Sequence, residues 1–209
     1  MLYNLTIFVI LFSIVLLPYY TYYKNKKLQI FNLIFLLFIG GLYELFFTMI
    51  LGNDSQVWFK VYPFLEFIAL LYFFKKLIGI SQSVFYTILV SYCSLYLTLC
   101  WFYFYKINLS ALELFIPISQ CLLVYTCSTK WTIQQFEKLE TSSLLHFPVF
   151  YILSGMILYY SGTFFIFGLE TIFRYTKSQI LHYFWYVNLL LAFAYRLSFY
   201  IAIWKAKKV

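Results

Sequence analysis

Five polar side chains stand out within the apolar stretches of this 209-residue chain, because their types could support chemistry. They are Glu44, Glu66, Glu113, Asn188 and Arg196. Around them 64% of the residues are hydrophobic and only 11% are charged. A soluble domain has about 25% charged residues, so the composition predicts a membrane protein. A charge at bilayer depth costs roughly 2.5–3.5 kcal/mol, so each charged side chain must face protein or water.

Helical depth predicts that two of the acids lie close together. Glu44 lies eight residues from Gly52, or about 12 Å, and Glu66 lies ten residues from Gln56, or about 15 Å. Two facing carboxylates on adjacent helices could share a proton. The long side chain of Arg196 could reach Glu66. The alternative is that each group has a structural role only and is hydrogen-bonded to Tyr, Ser or Asn side chains.

The other two candidates extend this predicted cluster. Glu113 shares a helical face with Gln120, and Asn188 lies on one stripe with Ala192 and Arg196. We predict that the five candidates form an outward-facing polar cluster, which binds a small ligand, a lipid group or a proton.

Seven apolar runs of about 20 residues are long enough to cross a hydrocarbon core of about 30 Å. They predict an all-α integral membrane protein, a single seven-transmembrane-helix bundle over residues 1–209. The runs lie near 2–22, 29–51, 57–74, 84–105, 109–129, 148–168 and 181–204. Ser154-Gly155 and Ser161-Gly162 repeat at seven residues in the sixth run, which favours close helix packing.

Basic residues predict the orientation, because cytoplasmic loops carry an excess of Lys and Arg. Ten follow spans one, three, five and seven: Lys24, Lys26, Lys27, Lys75, Lys76, Lys130, Lys138, Lys205, Lys207 and Lys208. Four lie on the other side: Lys60, Lys106, Arg174 and Lys177. The N-terminus is therefore predicted outside and the C-terminus in the cytoplasm. Pro18-Tyr19-Tyr20 replaces a small-residue cleavage site, so span one is predicted to be an uncleaved anchor, with cleavage as the alternative.

The longest predicted loop covers residues 130–147 on the cytoplasmic side. Thr132 and Gln135 have capping-box spacing, so this loop either contains a short interfacial helix or is an ordinary connector.

Several chemistries find no support in the residues. His146 and His182 are predicted on opposite sides of the membrane, so no metal site is expected. We predict that the four cysteines are buried free thiols: Cys93, Cys100, Cys121 and Cys127. We predict no catalytic residue and no cofactor. The net charge of +8 reflects the orientation bias, and no nucleic-acid partner is expected because there is no basic soluble domain.

Three segments carry a resemblance to a known group. They are Gly41-Leu42-Tyr43-Glu44, Tyr62-Pro63-Phe64-Leu65-Glu66-Phe67 before Lys75-Lys76, and Trp185-Tyr186-Val187-Asn188 through Tyr195. The chain resembles small, mostly uncharacterised seven-helix proteins of Bacteroidota. It is also similar to the membrane halves that precede histidine kinases there. The resemblance implies a sensor or regulatory role. Because the chain ends at Val209 without an effector, it implies a separate partner.

The leading hypothesis is a sensor or accessory subunit of a bacterial cytoplasmic (inner) membrane. It would contact the lipid bilayer and a separate cytoplasmic or membrane signalling partner, with its oligomeric state left open. One alternative is a small transporter or channel. Another is a membrane-embedded lipid hydrolase that uses Glu44 and Glu66 as paired carboxylates. The sequence leaves enzyme activity open and favours a role without it.

Overall fold

A computed structural model describes residues 2–23, 30–46, 58–104, 109–138, 144–173 and 180–207. In these ranges the chain forms seven α-helices and no strand, as the all-α prediction requires. The helices are α1 (Leu2–Tyr23), α2 (Phe31–Glu44), α3 (Trp58–Ile78), α4 (Gln82–Phe104), α5 (Leu109–Lys138), α6 (Pro148–Phe173) and α7 (Ile180–Lys207). A 3₁₀ turn at Leu144–His146 precedes α6.

Four of the helices are long and apolar enough to cross a membrane. Their spanning segments are Asn4–Tyr23, Gln82–Phe102, Pro148–Leu169 and Tyr183–Lys207. Large apolar side chains cover the outside of the bundle, and Val90, Leu97 and Phe165 are each more than half exposed. A continuous apolar exterior is a lipid-facing surface, because soluble proteins avoid large exposed apolar patches. The chain is therefore a helical membrane protein.

Six helices close into a ring around one core. In order around the ring, α1 packs against α2, α2 against α3, α3 against α5, α5 against α6, α6 against α7, and α7 against α1. Helix α4 lies outside the ring, against α3 and α5. Its spanning segment is the least buried of the four. The ring brings side chains from α3, α5, α6 and α7 together at its centre.

Lysines gather at one end of the bundle, where aromatic rings hold them. Lys205 lies 4.8 Å from the centre of the Tyr151 ring and donates to the Leu145 carbonyl over 3.2 Å. Lys207 lies 4.7 Å from the Tyr23 ring. On α3, Lys75 and Lys76 make the same kind of contact with Phe85 and Tyr72. We call this end, with its lysines stacked on aromatic rings, the basic end.

Two glycines of α6 allow a close contact with α7. A Cβ atom at Gly155 would overlap the Ser198 side chain, and one at Gly162 would overlap Leu191. Both clashes are with α7, so the seven-residue repeat works as the sequence predicted, by letting two helices approach closely.

Helix α5 is longer than the predicted fifth span. It continues past residue 129 to Lys138, so the stretch that was predicted to begin a loop is helical. Thr132 donates to the Ser128 carbonyl one turn earlier, over 2.9 Å. Its hydroxyl is therefore used inside a helix, and the capping-box interpretation is wrong. Trp131 is buried against Phe147, the residue just before α6, and this contact fixes the extension to the bundle.

Helix α3 also extends further than predicted and ends in a tight turn. The predicted span stopped at residue 74, but the helix includes Lys75 and ends at Ile78. Gly79 then has φ +68°, and the Ile80 amide donates back to the Lys75 carbonyl over 3.2 Å. This is a glycine-dependent helix end, which reverses the chain into α4.

Candidate functional site

The centre of the ring holds Glu66, an acidic side chain with only 6% of its surface exposed. Gln120 of α5 donates from Nε2 to Glu66 Oε2 over 3.1 Å. The same nitrogen donates to the Pro63 carbonyl of α3, also over 3.1 Å. An amide NH₂ has two hydrogens, so Gln120 can serve both acceptors at once. Glu66 is therefore held by a neutral partner.

Tyrosines of α6 and α7 cover the other side of Glu66. Tyr159 and Tyr195 stack with ring centres 5.0 Å apart, and Tyr160 meets Tyr195 edge to face at 5.9 Å. The Tyr160 hydroxyl lies beside the Glu66 carboxyl. It is buried and makes no hydrogen bond of normal geometry with a described residue. It is therefore a donor available to Glu66.

Arg196 of α7 lies at the same level, but its hydrogen bonds go elsewhere. Its Nε donates to the hydroxyl of Ser13 on α1, and its Nη1 donates to the Ala192 carbonyl over 2.9 Å. Ser13 is fully buried and donates in turn to the Val9 carbonyl over 2.9 Å. The guanidinium is thus held at the contact between α1 and α7.

Both candidate acids lie within electrostatic range of this guanidinium. Arg196 interacts with Glu66 and with Glu44, the last residue of α2. Within the described part of the chain, however, neither carboxylate forms an ion pair with Arg196. The three charges therefore share one region of the bundle without direct contact. We call Glu44, Glu66, Gln120, Tyr160 and Arg196 the central cluster.

The remaining two predicted site residues lie nearer the end opposite the lysines. Asn188 precedes Arg196 by eight residues on α7, or about 12 Å of helix. Its Oδ1 is buried without a hydrogen bond to any described residue. Glu113 lies seven residues before Gln120 on α5, and its side chain is outside the described residues. The structure thus brings three of the five predicted residues together and places Asn188 at another level.

The prediction omitted several members of the site. Gln120 and Ser13 are polar residues within apolar stretches of their helices, and that signal could have identified them. The tyrosines offered no such signal, because the chain has 22 of them. In the described parts of the chain, no three His, Cys, Asp or Glu side chains are grouped to hold a metal ion.

Fold and site together define a helical membrane protein with a buried polar cluster. No known protein family, curated protein or solved structure matches the chain.

Proposed function

We propose that this chain is a sensor or regulatory subunit of a bacterial cytoplasmic membrane, and that the signal it binds is a proton at Glu66. One observation carries the proposal: Arg196 is within electrostatic range of two carboxylates, Glu44 and Glu66, and forms an ion pair with neither. When both acids are ionised, this cluster has one negative charge in excess. Net charge is costly in a low-dielectric interior, and one bound proton removes it.

Glu66 is the better acceptor of that proton because neutral groups surround it. Gln120 and Tyr160 can donate to the ionised carboxylate, and Gln120 can still donate to the unprotonated oxygen of the neutral acid. Arg196 is engaged with Ser13, so no direct ion pair fixes Glu66 in its charged form. Among the described residues, the titratable or charged groups within electrostatic range of Glu66 are Tyr62, Tyr92, Tyr159, Tyr160, Tyr195 and Arg196.

Helix α5 offers a path from this acid to the basic end. Gln120 contacts Glu66, and the same uninterrupted helix continues for 18 residues to Lys138, or about 27 Å. A change in the bond between Gln120 and Glu66 would therefore act on the extension of α5 at the basic end. A partner protein at that end would receive the signal.

The proposal includes seven spans, an outer N-terminus and a cytoplasmic C-terminus. Helices α2, α3 and α5 pack in the same ring as the long apolar helices, which supports their crossing the membrane as well. The basic end favours the cytoplasmic side by the positive-inside bias. A green fluorescent protein fused after Val209 should fluoresce, since that reporter folds in the cytoplasm. An alkaline phosphatase fusion at the same place should be inactive, and the opposite pair of results would reverse the orientation.

Infrared spectroscopy can test the proton site directly. Protein in lipid nanodiscs should gain a carboxylic-acid C=O band on acidification, as the difference spectrum between two pH values would show. Glu66→Gln should remove that band, whereas Glu137→Gln, on the exposed extension of α5, should keep it. A band that survives Glu66→Gln, or disappears only in Glu44→Gln, would overturn the assignment to Glu66.

Spin labelling can test whether the signal reaches the basic end. A label at Phe136, an exposed residue of the α5 extension, should change mobility with pH in a cysteine-free background. A label at Tyr22, exposed at the end of α1, is the matched control and should change little. Glu66→Gln should abolish the response at Phe136. Proton flux through protein-containing liposomes would instead favour the transporter alternative.

A further inference from the structure

A shallow, open depression, which we call the groove, runs along the outward face of α5 at the basic end. It is lined by Tyr125, Thr126, Thr129, Lys130, Ile133, Gln134 and Glu137. All seven belong to one helix, so the groove is an unpartnered face of the bundle. Lys130 and Glu137 lie seven residues apart on this face, about 10 Å along the axis. The positive charge of Lys130 and the negative charge of Glu137 therefore lie at two different positions along the helix axis.

Neither charge is neutralised within the bundle. Lys130 and Glu137 are exposed, and neither forms a hydrogen bond or an ion pair with another described residue. Most of the basic end differs, since Lys75, Lys205 and Lys207 all contact aromatic rings. The face of α5 thus keeps one cation and one anion available to a ligand.

The order of groups along α5 matches the order of groups in a phospholipid. Leu122 and Tyr125 are both exposed, and they continue the apolar face of α5 along the helix, away from the basic end. Lys130 follows at the start of the basic end, and Glu137 lies two turns further out. An acyl chain, a phosphate and a terminal ammonium occur in that same sequence from the bilayer core to water.

We propose that this groove binds the headgroup of a zwitterionic phospholipid with a primary ammonium, the phosphatidylethanolamine class. Lys130 contacts the phosphate, Glu137 accepts hydrogen bonds from the ammonium, and the acyl chains lie along Leu122 and Tyr125. A primary ammonium has N–H donors and a quaternary one has none, so Glu137 selects ethanolamine over choline. The inference rests on the proposed crossing of the membrane by α5, but not on the proton site.

Lipid titration of the delipidated full-length protein in detergent tests the proposal. The probes are phosphatidylethanolamine, phosphatidylcholine and phosphatidylglycerol with the same short acyl chains, and native mass spectrometry gives the bound fraction. We expect ethanolamine lipid to bind about fivefold more tightly than choline lipid, as one interfacial charge contact of about 1 kcal/mol provides.

Two variants separate the roles of the charges. Glu137→Gln should remove the preference for ethanolamine over choline and leave binding of phosphatidylglycerol unchanged. Lys130→Gln should weaken all three lipids about fivefold, because each has a phosphate. Lys76→Gln, also exposed at the basic end, is the matched control and should keep the preference.

The proposal is overturned if Glu137→Gln keeps the ethanolamine preference, or if the unmodified protein binds the three lipids equally. Labelling of Glu137→Cys by a membrane-impermeant maleimide from the cytoplasmic side checks the placement of α5. If the protein shows no lipid preference but Glu137→Cys is labelled from the cytoplasmic side, the headgroup site is rejected and the placement of α5 stands. Glu66→Gln should leave lipid selection unchanged, so failure of the proton site is distinguishable from failure of this one.

Discussion

Gln120 Nε2 donates to Glu66 Oε2 over 3.1 Å, and this contact attaches α5 to the buried acid of α3. The two residues are 54 positions apart in the chain. Because the carbonyl of Pro63 accepts from the same nitrogen, one amide fixes both the acid and the helix that carries it.

Replacing Gln120 by Leu should therefore destabilise the bundle. The substitution leaves two buried acceptors without their donor, and interhelical hydrogen bonds in membranes contribute about 0.6–2 kcal/mol each. We expect a loss of about 1–2 kcal/mol in the free energy of unfolding, measured by titration with sodium dodecyl sulfate. Gln135→Leu, on the α5 extension, should have a much smaller effect. Equal stability of the two variants would show that the Gln120 amide does not stabilise the contact between α3 and α5.

Gly155→Ala should separate α6 from α7. The added Cβ overlaps Ser198, and overpacking of a close contact costs about 1–3 kcal/mol. Gly168→Ala, on the same helix, meets nothing within 4 Å and should be neutral or stabilising, since alanine favours helix. In thermal unfolding in detergent, Gly155→Ala should lower the midpoint temperature and Gly168→Ala should leave it unchanged or raise it. Equal lowering by both variants would contradict the packing argument.

Ser13→Ala should weaken the contact between α1 and α7. It removes the hydroxyl that accepts from Arg196 Nε, and we expect a loss of about 1 kcal/mol in unfolding free energy. Ser94→Ala on α4 is the control, because Ser94 is exposed and bonds only to its own helix, at the Ser91 carbonyl. A double-mutant cycle with Arg196→Met should give a coupling energy of similar size. Additive effects would rule out the bond.

The sequence determined the class of the protein and the depth of its polar groups. Helix length, apolar composition and the 1.5 Å rise are local properties, so the all-helical fold and the mid-helix positions of Glu66 and Arg196 could be read directly. The predicted boundaries were wrong where a helix continued beyond the apolar run. Helix α5 shows this, since its polar extension to Lys138 carries no signal of a membrane span.

Only the tertiary structure decided which side chains meet. The helices are apolar on nearly every face, so hydropathy does not tell a lipid-facing stripe from a buried one. The sequence therefore could not show that α4 lies outside the ring, or that Arg196 bonds Ser13, 183 residues away. Those contacts depend on close packing between helices, where small residues such as Gly155 set the approach, and that information is spread over pairs of distant segments.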